Sequence, residues 1–331
     1  MKPDIKGLQH DHIDGSRAVL GVIEDLYRLA GKDFPFPTKE GWLAFFRNPQ
    51  EDIVARFDTI TGVMQGPEAL EMVAYAYGRE RAAEGYAYVE GKFAPQFHRR
   101  GGLTMPQVVA AIHRGLKRAE NDFGIRILPV IAIGRETDAA TGVEIARIAL
   151  EYDGEAALDL ACDEANNPPE KHLAAFKLTQ DTRVKRDCHA GEWVTKEPAA
   201  TYRQRLLKNI RTAVHELRCD GVGHAMPLAD DLELMSYMAG SGIRVTGCPL
   251  SNLYSGLIAD VGELHIDTLL DNDVIYTLNP DDDLFMPPMS EVIAACDAAY
   301  NFTPGQRKKL EENVWRGAFA RDAAALWSAK K

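Results

Sequence analysis

Apolar residues along the chain follow two spacings that take turns. Short apolar runs at 5–12, 86–93, 126–133, 156–161, 184–189, 221–224, 243–248 and 274–278 read as β-strands. Between them lie longer stretches at 19–31, 67–84, 105–123, 138–152, 169–179, 198–217, 228–240 and 266–270, with the three-to-four-residue apolar spacing of amphipathic helices. The run 126–133 (Arg-Ile-Leu-Pro-Val-Ile-Ala-Ile) is almost wholly apolar, as a strand covered on both faces should be. Eight strands alternating with helices predict an α/β fold, a (β/α)8 TIM barrel. Two regions exceed that plan. Residues 33–66, with Pro35 and Pro37 and then Trp42, Leu43, Phe45, Phe46, Phe57, Ile60 and Met64, read as a helical insertion: a second layer of core or a lid over the mouth. Residues from 289 to about 327 read as two or three C-terminal helices. No repeat, low-complexity tract or linker divides the sequence, so 1–331 is expected to be one domain.

Composition narrows the partners. The 331 residues are 46% hydrophobic, enough for a large core, and carry a formal net charge of −11. Such an acidic chain is a poor match for nucleic acid or an anionic membrane surface and suits a small neutral or cationic ligand. Five cysteines, Cys162, Cys188, Cys219, Cys248 and Cys296, form no CxxC pair; the odd count in a large chain fits a reducing compartment better than a disulfide framework. The first residues lack the apolar run of a leader, and no stretch approaches the ~18–20 apolar residues of a membrane span. A cytoplasmic protein is expected.

The polar residues that stand out fall just past the predicted strand ends, where this architecture keeps its chemistry. His10 and His12 are two residues apart, so an extended strand turns both to one face. Asp14 follows them. Cys188-His189-Ala190-Gly191-Glu192 follows strand five, Gly223-His224-Ala225 strand six, and Asn279-Pro280-Asp281-Asp282-Asp283 strand eight. Each alone has an ordinary structural explanation, a core histidine or an aspartate-rich turn. Together, His10, His12, His189 and Asp281 offer three imidazoles and a carboxylate, a set suited to one Zn²⁺ or another divalent transition ion, which lowers the pKa of a coordinated water toward ~7. Asp281 can accept the proton of that water. His224 can orient the oxygen and stabilise developing charge. Glu192, if protonated, can donate to a ring nitrogen and make the adjacent carbon electrophilic. Cys188 and Cys248 read as small buried hydrophobes. Asp163 and Glu164 either orient a metal ligand or cap the following helix. His98, beside Arg99 and Arg100, reads as a solvated loop residue or, alternatively, a contact for an anionic substituent. His113, His172, His215 and His265 receive no role.

These pieces, in this order, resemble the adenosine deaminase family of the metal-dependent amidohydrolase superfamily. The matching stretches are His10-Asp11-His12-Ile13-Asp14-Gly15-Ser16, Tyr88-Val89-Glu90-Gly91-Lys92-Phe93-Ala94-Pro95, Asp159-Leu160-Ala161-Cys162-Asp163-Glu164, His189-Ala190-Gly191-Glu192, Gly223-His224-Ala225, Cys248-Pro249-Leu250-Ser251-Asn252 and Leu278-Asn279-Pro280-Asp281-Asp282. The resemblance implies hydrolytic deamination at C6 of an aminopurine, with zinc on His10, His12, His189 and Asp281. It further implies that Glu192 protonates N1, that His224 and Asp281 handle the attacking oxygen, and that Asp282 meets N7. Residue 162 would present its backbone N–H to N3, and Asp14 would meet the ribose. The chain departs from the family at Cys162, where the adenosine enzymes usually carry glycine, and at Ala225 and Pro280. Relatives acting on free adenine tend to carry Glu where Asp14 stands, which favours a nucleoside. The expected activity is deamination of adenosine or 2′-deoxyadenosine. The alternatives are a 5′-modified adenosine such as aminodeoxyfutalosine, or adenine. A non-catalytic nucleoside-binding protein and a different hydrolase of the superfamily are the competing classes. The full catalytic set argues against the first, and Glu192 against the second.

Overall fold

The computed structural model describes residues 7–48, 53–196 and 198–329. Eight parallel strands lie in two four-stranded sheets: β1 Gly7–His12, β2 Tyr88–Phe93, β3 Arg126–Gly134 and β4 Ala157–Ala161 in one, β5 His189–Ala190, β6 Gly221–His224, β7 Arg244–Gly247 and β8 Tyr276–Leu278 in the other. Each sheet runs in chain order. The two sheets meet at both edges, through a bridge between Leu158 and Arg186 and another between Asp11 and Asp281.

The strands are buried on both faces, but the faces differ. On β2 to β4 one side carries Val89, Phe93, Ile127, Ile131, Ile133, Leu158 and Leu160, which pack into the large core with the surrounding helices. The other side carries Glu90, Lys92 and Asp159 among smaller groups such as Ala132, Ala157 and Ala161, all at most 4% exposed. Those charges lie between the sheets and join them. Lys92 Nζ donates to Asp159 and Asp187, each at 3.0 Å. Arg244 donates to Glu90 at 2.6 and 2.8 Å and to Asp187 at 3.0 Å. Tyr88, Phe319 and Ala320 close this column at the N-terminal ends of the strands: Tyr88 Oη and the Phe319 amide donate to Glu90, and the Ala320 amide donates to Tyr88 Oη.

The helices follow their sequence signals closely. Met105–Phe123 begins with a capping box formed by Thr104 and Gln107 and ends on Gly124 at φ +68°. It packs on Pro67–Ala83 at close range, because a Cβ on Gly78 would lie 2.5 Å from the Cβ of Ala119. Three C-terminal helices, Met289–Tyr300, Pro304–Arg316 and Ala323–Ala329, are present as expected.

The insertion forms the helices Lys39–Phe46 and Ile53–Thr61, with 49–52 outside the described residues. Trp42 and Phe46 are fully buried, and Phe57 stacks on Phe285, 4.6 Å between ring centroids, just past β8.

Residues 5 and 6 of the expected first strand lie outside the described residues. Two expectations change. Strand five is shorter than 184–189: only His189 and Ala190 form a ladder, because side chains take two earlier amides, Asp220 accepting from Arg186 and Asp187 from Cys188. Cys248 leaves strand seven and becomes the N-cap residue of an unpredicted helix, Pro249–Tyr254.

Candidate active site

The C-terminal ends of the strands bring the singled-out residues to one place. A β-bulge between Leu8 and Asp11 leaves His10 and His12 on the inner side. Asp11 points outward to a bidentate pair with Arg81 at 2.7 and 2.9 Å. The ring of His10 lies over Gly223, where a Cβ would stand 2.7 Å from His10 Cε1. His224 and Asp281 each turn inward at φ +63°, a left-handed conformation that costs a non-glycine residue about 1–2 kcal/mol. Such strain clusters where a site over-determines its backbone.

Ligand atoms of His10, His12, His189 and Asp281 all lie within 4.8 Å of one another. Asp281 Oδ1 is 3.5 Å from His10 Nε2 and 3.3 Å from His12 Nε2. His189 Nε2 is 3.4 Å from His12 Nε2. The far side of two rings is already held: His10 Nδ1 is 3.0 Å from Thr246 Oγ1, and His189 Nδ1 is 3.0 Å from Asp159 Oδ2. The nitrogens turned to the centre are therefore the ones free to bind, and His10 Nε2 is buried with no hydrogen-bond partner. That donor set fits one divalent transition ion.

Electrostatics say the same. Burial opposes charge on His12, yet Asp282, Asp281 and Asp14 push its pKa up to about 10. Acidic groups crowded around a buried imidazole call for a cation. Burial also disfavours charge on Asp281, but the imidazoles of His10 and His12 beside it hold its carboxyl well below the usual range. Burial, with Lys92 and His189 nearby, holds His10 well below the usual imidazole range.

Glu192 and His224 stand beside this cluster. His224 Nε2 is 3.5 Å from Glu192 Oε2 and 3.9 Å from Asp281 Oδ2, while its Nδ1 is 3.1 Å from Asn252 Nδ2. Asp282 occupies the space of a missing side chain: a Cβ on Gly15 would lie 1.6 Å from its Oδ1. Burial, with Asp281 and Asp14 close by, pushes the Asp282 carboxyl well above the usual range, and its Oδ1 has no partner. Cys162 has φ +76°, the conformation glycine adopts freely. The residue is exposed, with Glu136 and Asp14 close enough to act on its thiol.

Several residues carry more than the sequence suggested. His98 is fully buried, not solvated; its Nδ1 is 3.1 Å from the Met64 carbonyl and its Nε2 3.1 Å from Asp14 Oδ2. Asp159 and Thr246, which orient two imidazoles, were missed as such. A charged residue in the doubly covered run 156–161 was the available signal, since buried charge must find a partner. Asp163 caps the turn at Asn166 and Asn167. Cys188 is buried as expected. Cys248 is buried too, but lies in a second group of potential ligands with His10, His224 and Asp281.

Residues 6–326 match the family model for adenosine deaminase. An adenosine deaminase of Mycobacterium ulcerans is 31% identical, over 95% of this chain and 90% of its own length. The solved adenine deaminase of Arthrobacter aurescens superposes with a TM-score of 0.82 at 22% identity, covering 98% of this chain and 97% of that one. A zinc-bound amidohydrolase of Burkholderia ambifaria superposes with a TM-score of 0.83 at 24% identity, covering 99% and 90%. No helix among the described residues is long and apolar enough to cross a membrane.

Proposed function

The chain belongs to the adenosine deaminase family, metal-dependent amidohydrolases that act on C–N bonds, and from that premise we propose that it hydrolyses the 6-amino group of an aminopurine nucleoside. Adenosine or 2′-deoxyadenosine would yield the 6-oxo nucleoside and ammonia. The observation that carries this reading is the placement of Glu192 and His224 beside Asp281, at the edge of the three-imidazole cluster. We read the two sheets, bridged at both edges, as one closed (β/α)8 barrel and one domain, with the helices Lys39–Phe46 and Ile53–Thr61 as part of the cover over its mouth.

His10, His12, His189 and Asp281 would hold one Zn²⁺ or a similar divalent ion. Bound there, the ion supplies Lewis-acid activation of water at neutral pH. Glu192 gives a proton to N1, which draws electrons from C6 and opens it to attack. Asp281 accepts the proton released by the attacking water, and His224 donates to the oxygen that adds to C6. Asp282, its carboxyl biased toward the protonated form, donates to N7, which can only accept. The backbone N–H of Cys162 faces N3, and Asp14, buttressed by His98, meets a ribose hydroxyl. Asp281 then passes its proton to the 6-amino nitrogen, the C6–N bond breaks and ammonia leaves, and the hydroxyl proton on C6 returns to Glu192 as the 6-oxo group forms with N1–H kept.

Asp14 and Glu136 give the surroundings of Cys162 a negative field. That field supports a substrate without a phosphate, so a nucleoside monophosphate should turn over poorly. Free adenine is the second reading, favoured by the exposed Cys162 side chain where a glycine would leave more room, and a 5′-modified adenosine such as aminodeoxyfutalosine is the third. The test is ammonia release from adenine, adenosine, 2′-deoxyadenosine, 5′-modified adenosines and adenosine monophosphate, with metal analysis of the same sample. Release from the nucleosides is expected; no release from any aminopurine would sink the reading.

A further inference from the structure

Glu164 follows β4 and is 2% exposed, yet it touches none of the groups that would hold the metal. Four donors converge on its carboxylate. Oε1 accepts from the Gly191 amide and from Asn209 Nδ2, both at 2.9 Å. Oε2 accepts from the amides of Glu192 at 2.9 Å and Trp193 at 2.8 Å. Three successive backbone amides thus form an anion-holding concavity, and the protein fills it with its own carboxylate. The turn that allows this needs a glycine: Gly191 has φ +73°, and a Cβ there would lie 2.5 Å from Ile210 Cδ1.

We propose that Glu164 is the positioning residue for the general acid, fixing the backbone of Glu192 and of both its neighbours. The proposal rests on the deaminase reading of the site. It differs from both sequence-based expectations for Glu164, since the residue neither orients a metal ligand nor caps the next helix. A carboxylate is the only side chain that can take all four bonds, because each oxygen faces two donors. Glutamine would turn its NH₂ toward at least one backbone N–H, that of Gly191 if the Asn209 amide rotates to accept from it and those of Glu192 and Trp193 in the other orientation, so at least one bond is lost and two donors are forced together. The Glu192 carboxyl would then wander relative to His224 and the ring nitrogen.

A double-mutant cycle on the metal-loaded enzyme tests this. Glu164→Gln should lower kcat about 100-fold, the typical cost of an ångström-scale misplacement, with KM and bound metal little changed. In a Glu192→Gln background the same change should alter the residual rate by less than about twofold, because the group being positioned has already lost its proton-donating role. If Glu164→Gln does not fold, Glu164→Asp, which keeps the charge but shortens the reach, goes through the same cycle with a smaller first loss and the same absence of a second. Losses that multiply across the cycle, or an unchanged kcat in Glu164→Gln, overturn the proposal while leaving the deaminase reading standing. A wild-type protein inactive on every aminopurine removes both.

Discussion

Two sets of buried polar groups occupy the space between the sheets, and they are built on opposite rules. Toward the N-terminal ends, Glu90, Lys92, Asp187 and Arg244 meet opposite charges at 2.6–3.0 Å. Toward the C-terminal ends, like meets like: imidazole nitrogens of His10, His12 and His189 converge on one carboxylate, and His10 Nε2, His224 Nε2 and Asp282 Oδ1 have no hydrogen-bond partner. The first set pairs every charge with an opposite one, leaving Arg244 Nε as its one atom without a partner among the described residues, and serves the fold. The second set is complete only with something added, which is the mark of a site. Asp159 belongs to both, tying Lys92 to His189, so the column also sets the angle of one ring of the proposed metal cluster.

The largest effect that sharpens this contrast is chemical. Glu192→Gln should keep its bound metal and lose turnover by about 10²–10⁴-fold, the usual worth of a positioned general acid. Steady-state rates with metal quantification check it. Next comes the structural set. Arg244→Met leaves Glu90 and Asp187 buried without this cation and should cost about 3–5 kcal/mol of stability by denaturant unfolding. Metal per folded chain should stay the same, and a variant that lost metal without losing stability would break the division between the two sets. Thr246→Val, at the border, removes the group that orients His10 and should weaken metal affinity about 10–100-fold in a chelator competition. The smallest effect is at Cys162: Cys162→Gly relieves the φ +76° strain, and the variant should gain stability by up to about 1 kcal/mol after glycine's entropic cost is subtracted. Its KM should shift more for substrates with bulky sugars than for adenine.

Most of the fold was legible because strand and helix spacings differ so clearly, and Met105–Phe123 was read to the residue. Strand five was not, because Asp220 and Asp187 take two of its amides, and side-chain competition for backbone leaves no trace in hydrophobic spacing. The four residues of the cluster were readable as polar groups at strand ends. Their supports were not. Thr246 lies 236 positions from His10, and nothing local distinguishes it from any strand threonine. His98 sits among arginines and reads as surface, but a 3-10 turn, Pro95–His98, folds it beneath Met64 and onto Asp14. Glu164 had two plausible local roles and holds neither, since its partners come from the loop after β5 and from Asn209.

The central claim is that the unsatisfied cluster, and not the paired column beside it, holds the ion. Metal content per folded chain, measured side by side for the wild type, Asp281→Ala and Glu90→Gln, tests it most directly. The account predicts about one divalent ion per chain in the wild type and in Glu90→Gln, and almost none in Asp281→Ala, which loses one of four ligands. Full metal occupancy in Asp281→Ala, or its loss in folded Glu90→Gln alone, would contradict it.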